Sequence, residues 1–386
     1  MASPEPLKAV FGGRTPMSTQ LNVDNTSVVS FNILVHGSGK YAGVWHDAQL
    51  LRQGLAEAGN TASVLDRPTF KTFTWRVMAS RKARVLRVDR VLQSVLMALA
   101  WARRRISGRP QEVTIHLEYV SPRHFVDGSM QMLLPNPEWF WDRDAWALQF
   151  IDVVLCKTRH AMPIFEAAGC AVEYVGFTSE DCRVPGVSPD RSRWLHVASN
   201  GHQKGTDEIV QAWHRHPDWP YLTVVAGARR TPIAAARNLQ VLDEWLDDAQ
   251  LRALMQRSGV HLCPSNAEGF GHTIVEAMSC GVLVLTTDLE PMNELVDESR
   301  GMLVDVAETT PMGWSWRARF EQDALEATVE RAIALSDAQY LSRATAARQW
   351  YVQNDAAFRQ RLEALAARLA SGGLQYSDRP RVSREP

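Results

Sequence analysis

The stretch GVHLCPSNAEGFGHTIVEAMSCGVLVLTT (259–287) holds the repeating unit of the whole chain. An apolar run over 259–265 gives way to a glycine-rich turn. A helical segment then starts near Gly271–Thr273 and stops at Gly281, and a β-branched run follows over 282–287. Strand, turn, helix and strand in that order build parallel sheets. Glycines let backbone approach a ligand closely, and the unpaired N–H groups of a first helical turn carry partial positive charge toward it. The turn is therefore a candidate anion site, and a diphosphate suits it. Glu268 precedes the glycines and Glu276 stands on the helix. An ionised carboxylate only accepts hydrogen bonds, so it pairs with the vicinal hydroxyls of a ribose or hexose. In isolation Glu268 would be a turn residue and Glu276 a solvated helix residue; the glycines between them favour ligand contact.

Upstream, HVASNGHQKGTDEIVQAW (196–213) repeats the design and places Lys204 in a glycine-bounded turn. An ammonium there neutralises a departing phosphate. Strand signals recur at 193–199, 221–227, 238–242, 259–265, 282–287 and 301–306, after an earlier series at 27–36, 61–66, 112–118, 130–135, 152–157 and 172–177. Helix-period segments fill the gaps, beginning with 46–59. The class is α/β, with an N-terminal Rossmann-like domain over 26–180, a linker over 181–192 rich in Pro and Gly, and a C-terminal Rossmann-like domain over 193–318. Helices follow over 319–370, and polar ends (1–25 and 371–386) are expected to stay disordered.

The 386 residues exceed what one core usually serves. Apolar residues make up 45% and charged residues 22%, an ordinary globular balance that excludes disordered and collagenous classes. A net charge of -1 supplies no field that demands a nucleic acid, and no dedicated nucleic-acid motif is present. Five cysteines lack zinc-site spacing and read as reduced core thiols. The start lacks the order of a secretory signal and no run is long and apolar enough to span a bilayer, so a cytoplasmic location is expected.

Glu268-Gly269-Phe270-Gly271, with Ile274-Val275-Glu276-Ala277-Met278 and Gly281, resembles the E-x7-E signature of the retaining GT-B enzymes of glycosyltransferase family 4. Lys204-Gly205, Pro264-Ser265 and the terminal helices support the resemblance. It implies two Rossmann-like domains facing each other across a cleft, and metal-independent transfer of a sugar from a nucleotide diphosphate donor with retention of configuration. The implied donor is a UDP-sugar first, with GDP- or ADP-sugar as alternatives; the acceptor is a glycan, a lipid-linked sugar or another small molecule. Glu268 would touch the donor hexose and, with Lys204, carry the chemistry. Gly269, Phe270, Gly271, His272 and Thr273 would meet sugar and phosphate, and Glu276 would hold the ribose. Where the family usually has an arginine, five residues before the lysine, this chain has Ser199. Asn200 and His202 are the nearest substitutes for that missing guanidinium fork. The rival readings are a GT-B-like nucleotide-sugar epimerase and a catalytically silent sugar-binding protein.

On the acceptor side, HGSGKYAGVW (36–45) follows the first strand with Gly37, Gly39 and Gly43, and lacks the pattern of a Walker A loop. His116 and Glu118 fall at a strand end, where α/β sheets present ligand contacts; a structural role is equally open for each. Asp142-Arg143-Asp144 spells a DxD, but among helix-forming aromatics instead of at a strand end, so it is not taken as a metal site. Between Arg76 and Arg109 lie ten Lys and Arg against one acid, Asp89. That stretch reads as a helix with a solvated basic face, or alternatively as a peripheral contact with the inner face of an anionic membrane.

Overall fold

The computed structural model describes residues 28–36, 43–67, 112–120, 130–198, 203–226 and 233–372. The expectations placed on Gly37, Gly39, Ser199, Asn200, His202 and the basic stretch 76–109 lie outside these residues. In the first half β1 (Ser30–His36), α1 (Gly43–Glu57), β2 (Thr61–Arg67), β3 (Glu112–Leu117), β4 (Met130–Leu134), β5 (Val153–Cys156), α2 (Ala161–Ala167) and β6 (Val172–Tyr174) follow one another. The second half contains β7 (Asp190–Val197), α3 (Thr206–Arg215), β8 (Tyr221–Val225), β9 (Leu239–Leu242), α4 (Asp248–Arg257), β10 (Ser258–Cys263), α5 (His272–Cys280), β11 (Leu283–Thr287), α6 (Met292–Leu295) and β12 (Met302–Val304). A hairpin, β13 (Glu308–Met312) and β14 (Ser315–Arg319), precedes α7 (Gln322–Ile333) and α8 (Asp337–Ala370).

Each half is a six-stranded parallel sheet, ordered β2-β1-β3-β4-β5-β6 and β12-β11-β10-β7-β8-β9. Their central strands are short, apolar and covered on both faces, the usual state of parallel sheets: β5 and β10, for example, are buried at every position. Strand order reverses between β1 and β3 in one sheet and between β7 and β10 in the other. Ligands of open α/β sheets bind outside the carboxyl ends of the strands at such a reversal. The reversals therefore locate the site before any side chain is considered.

Strand β7 begins at Asp190, inside the stretch expected as a linker, because Asp190 pairs with Ser258 at the foot of β10. The preceding residues are strapped along α8. Asn354 donates to the Phe177 carbonyl (2.7 Å), Tyr351 to that of Ser179 (3.0 Å), and Arg348 forks onto Asp181 (2.7 and 2.9 Å). The long helix, started by a Ser336 capping box, lies against α5 in the second half and reaches back to α1 in the first. There Gly54 makes room for it: a Cβ at that position would stand 2.7 Å from Leu362 Cδ1. One apolar cluster runs from Phe31, Ile33 and Leu51 through Phe177 and Phe270 to Val275 and Val284, and includes Phe358 and Leu362.

All five cysteines are free. Burial, the dominant cause, pushes the thiols of Cys156, Cys263 and Cys280 up to about 12, so these three stay protonated and unreactive. Among the described residues no helix is long and apolar enough to cross a membrane.

Candidate active site

At the carboxyl end of the second sheet, the loops after β7 and β10 are tied side by side: the Asn266 N–H donates to the Gln203 carbonyl at 2.6 Å. Buried His196, between the Leu262 carbonyl and the Thr206 hydroxyl (2.8 Å each), anchors the start of α3 to both strands. Gly205 caps α3 in the left-handed region (φ 66°), and a Cβ there would lie 2.4 Å from the Pro264 carbonyl. Only glycine fits both the torsion and the space. This fixes Lys204, whose Nζ donates to Glu268 Oε1 at 2.5 Å, with both side chains largely covered. Burial alone would lower the Lys204 ammonium, but Glu268 outweighs it and holds the group above its ordinary value. The lysine is charged throughout the neutral range.

Helix α5 starts behind a left-handed Gly271 and stops at a left-handed Gly281, as its sequence implies. Glu276 stands half-covered on it, and its charge also acts on Lys204. His272, in the first turn, is held at both ring nitrogens: Nδ1 is 2.7 Å from Ser179 Oγ and Nε2 is 2.7 Å from Asp47 Oδ1. Thr273 is half-buried. The side chain of Phe270 is buried, its ring meeting Phe177 at 5.5 Å and His272 at 5.4 Å, which leaves its backbone amide as the group the turn can offer a ligand. An apolar ring between two glycines gains free energy by burial while the backbone around it stays at the turn.

The first half brings its own groups to the same place. Asp47, on α1, accepts from Lys157 at 2.5 Å as well as facing His272. Burial would raise its carboxyl, but the Lys157 ammonium, and with it the His272 ring, hold it well below the usual carboxylate range. Lys157 also donates to Asn136 Oδ1 (2.7 Å), and Asn136 Nδ2 donates to Glu118 Oε1 (3.1 Å). Asn136 packs directly on the second half's turn, since a Cβ on Gly269 would meet its Oδ1 at 2.4 Å.

Residues 179–313 match the family described as "Glycosyl transferases group 1". Across 163 residues the chain is 31% identical to alpha-maltose-1-phosphate synthase of Mycobacterium tuberculosis, a match covering 38% of this chain and 42% of that protein. It is 46% identical over 57 residues to GDP-mannose:cellobiosyl-diphosphopolyprenol alpha-mannosyltransferase of Xanthomonas oryzae, covering 14% and 15% of the two chains. The chain thus spans less than half the length of these curated relatives. The solved structure "Trehalose-6-phosphate from E. coli bound with UDP-2-fluoro glucose" superposes with a TM-score of 0.60 at 14% identity, over 88% of this chain and 99% of that one. That likeness is one of fold: two Rossmann-like domains of the GT-B type.

The matched stretch 179–313 contains Lys204, Glu268, Gly269 to Thr273 and Glu276, and the expected positions Gly43, His116, Glu118 and the DxD lie in the first half. Gly43 opens α1, with open space where a Cβ would be. Glu118 follows β3 in the left-handed region (φ 61°), a strained torsion for glutamate. Burial raises its carboxyl above the ordinary value. His116 is fully buried with Nε2 2.8 Å from Gln131 Oε1, which gives it a place in the sheet instead of the cleft. Of the DxD, Asp142 accepts from Trp314 Nε1 at 2.7 Å.

Sequence reasoning missed His46, Asp47, Asn136 and Lys157. The available cue was position: Lys157 follows β5, Asn136 follows β4, and His46 and Asp47 stand in the first turn of α1, all at the carboxyl edge of the first sheet.

Proposed function

We propose that the protein is a glycosyltransferase that moves a sugar from a nucleotide diphosphate donor to an acceptor, with no required metal and with retention of configuration. The observation that carries this reading is the Lys204–Glu268 pair at the strand-order reversal, with Glu276 on the adjoining helix. In this reading Glu276 accepts from the ribose hydroxyls, and the amides of Gly269 to Gly271 and the first turn of α5 meet the diphosphate. Glu268 contacts the hexose. Three donor hydrogens on an ammonium let Lys204 keep Glu268 and still bond phosphate oxygen.

As the bond between the anomeric carbon and the β-phosphate oxygen breaks, negative charge builds on that phosphate. A lysine already charged and fixed by Glu268 stabilises the developing charge more than the ground state, which is the condition for rate acceleration. The first half supplies the acceptor surface through Glu118 and Asn136, and contact between the halves excludes water from the bound donor. The donor is a UDP-, GDP- or ADP-sugar, and the acceptor a glycan, a lipid-linked sugar or another small molecule.

Thermal shift with UDP, GDP and ADP tests the reading. A nucleotide at 100 times its dissociation constant adds about 2.7 kcal/mol of stability, and Glu276→Ala is expected to erase that gain for the preferred nucleotide. Stabilisation of the variant equal to that of the unmodified protein removes the ribose role from Glu276. Product analysis with the preferred donor then reads retention from the anomeric coupling and metal independence from turnover in chelator.

A further inference from the structure

Three ligand-type side chains converge where α1 of the first half meets α5 of the second. His46, His272 and Glu276 each offer one nitrogen or oxygen, and these atoms lie within 4.8 Å of one another. His46 Nε2 stands 3.8 Å from Glu276 Oε1 and, although enclosed, has no hydrogen-bond partner. The rings of His46 and His272 meet edge to face at 4.7 Å. We propose that His46, His272 and Glu276 form a binding site for a divalent transition-metal ion of the zinc type, which joins the two halves of the molecule.

Two imidazoles and one carboxylate are a donor set that zinc uses with a fourth position left open. With metal–ligand bonds of about 2.0–2.1 Å, tetrahedral ligand atoms stand roughly 3.3 Å apart. The ligand atoms here lie within 4.8 Å of one another, and side-chain rotation closes the set onto an ion. The enclosed Nε2 of His46 has no hydrogen-bond partner, so it is a nitrogen available as a ligand. Glu276, 3.8 Å from that nitrogen, brings the negative charge that a cation requires. His272 gives up one of its two hydrogen bonds to ligate. The other, to Asp47 or to Ser179, keeps the ring oriented in the manner of an outer-shell partner. Because Glu276 is also the proposed ribose anchor, an occupied site blocks the donor, so its effect on the proposed reaction is inhibitory. That consequence rests on the functional reading; the site itself does not.

Cobalt(II) titration of the metal-free full chain, without nucleotide, tests the site. Visible absorption bands of low-coordinate cobalt that saturate at one equivalent and bleach on adding zinc are expected. His46→Ala is expected to weaken binding by more than the roughly 10- to 100-fold that loss of an outer partner costs, with unchanged circular dichroism in the metal-free state. His46→Cys keeps a ligand atom and is expected to restore binding with a new thiolate-to-cobalt charge-transfer band in the near ultraviolet. Featureless cobalt spectra of the unmodified protein, full affinity in His46→Ala, or a His46→Cys spectrum without the thiolate band would each overturn the proposal.

Discussion

Replacing Asp47 by alanine tests whether the buried charges of the first half are held as a unit. Asp47 and Lys157 are 4% and 3% exposed at the side chain and 2.5 Å apart, so the substitution strands an ammonium in the interior with Asn136 Oδ1 as its remaining hydrogen-bond partner. Removing one member of a buried pair costs about 3–5 kcal/mol, chiefly the penalty of the charge left behind. The loss of the His272 contact falls inside that range. The urea midpoint at pH 7 reads the effect. Lys157→Ala in the same background is expected to add much less than it does alone, since residues in one network couple by about 0.5–3 kcal/mol. The pH dependence carries a sign as well. A carboxyl held below its unfolded value contributes stability above that value, about 3.9, and loses it as pH falls further. The gap between the unmodified protein and Asp47→Asn is therefore expected to narrow below about pH 4. An Asp47→Ala cost under about 1 kcal/mol, typical of an exposed pair, or full additivity with Lys157→Ala, would refute the argument.

Gly269→Ala places a Cβ 2.4 Å from Asn136 Oδ1 and must displace the side chain that links Lys157 to Glu118; transferase kcat/KM is expected to fall at least about tenfold, or about 1.4 kcal/mol, in steady-state assays. Leu362→Ala, at a side chain 1% exposed where α8 meets α1, is expected to cost about 2–5 kcal/mol in urea unfolding. Burial pushes His261 down to about 4 while its ring bonds the Met255 carbonyl. The folded state therefore takes up its proton later than the unfolded one, and on the order of 3 kcal/mol is lost as pH drops from about 6.5 to 4. His261→Gln is expected to flatten that part of the stability–pH curve.

The parallel strands were readable because each is a short apolar run bounded by turn residues, and every run singled out in the sequence overlaps a strand of one of the two sheets. The hairpin of β13 and β14 was not, since Pro311 and the mostly exposed residues of β13 leave no alternation to see. Glu268, Gly271, Glu276 and Gly281 were legible for the opposite reason: they are contiguous, and the helix between the glycines alone sets their spacing. The Asp47–Lys157–Asn136–Glu118 chain joins residues distant in sequence through the sheet. No local period encodes such a chain. Within the motif the side chain of Phe270 faces the core, because an apolar ring gains from burial whatever its backbone meets.

The chain passes from one sheet to the other twice, once ahead of β7 and once along α8. Two tethers remove most of the freedom that a single flexible link would leave. Relative motion reduces to a swing about the line through both crossings, with the cleft opening like a book whose spine is pinned at two points. A protease nick between Pro185 and Pro189 would therefore leave two fragments still clasped by the returning helix.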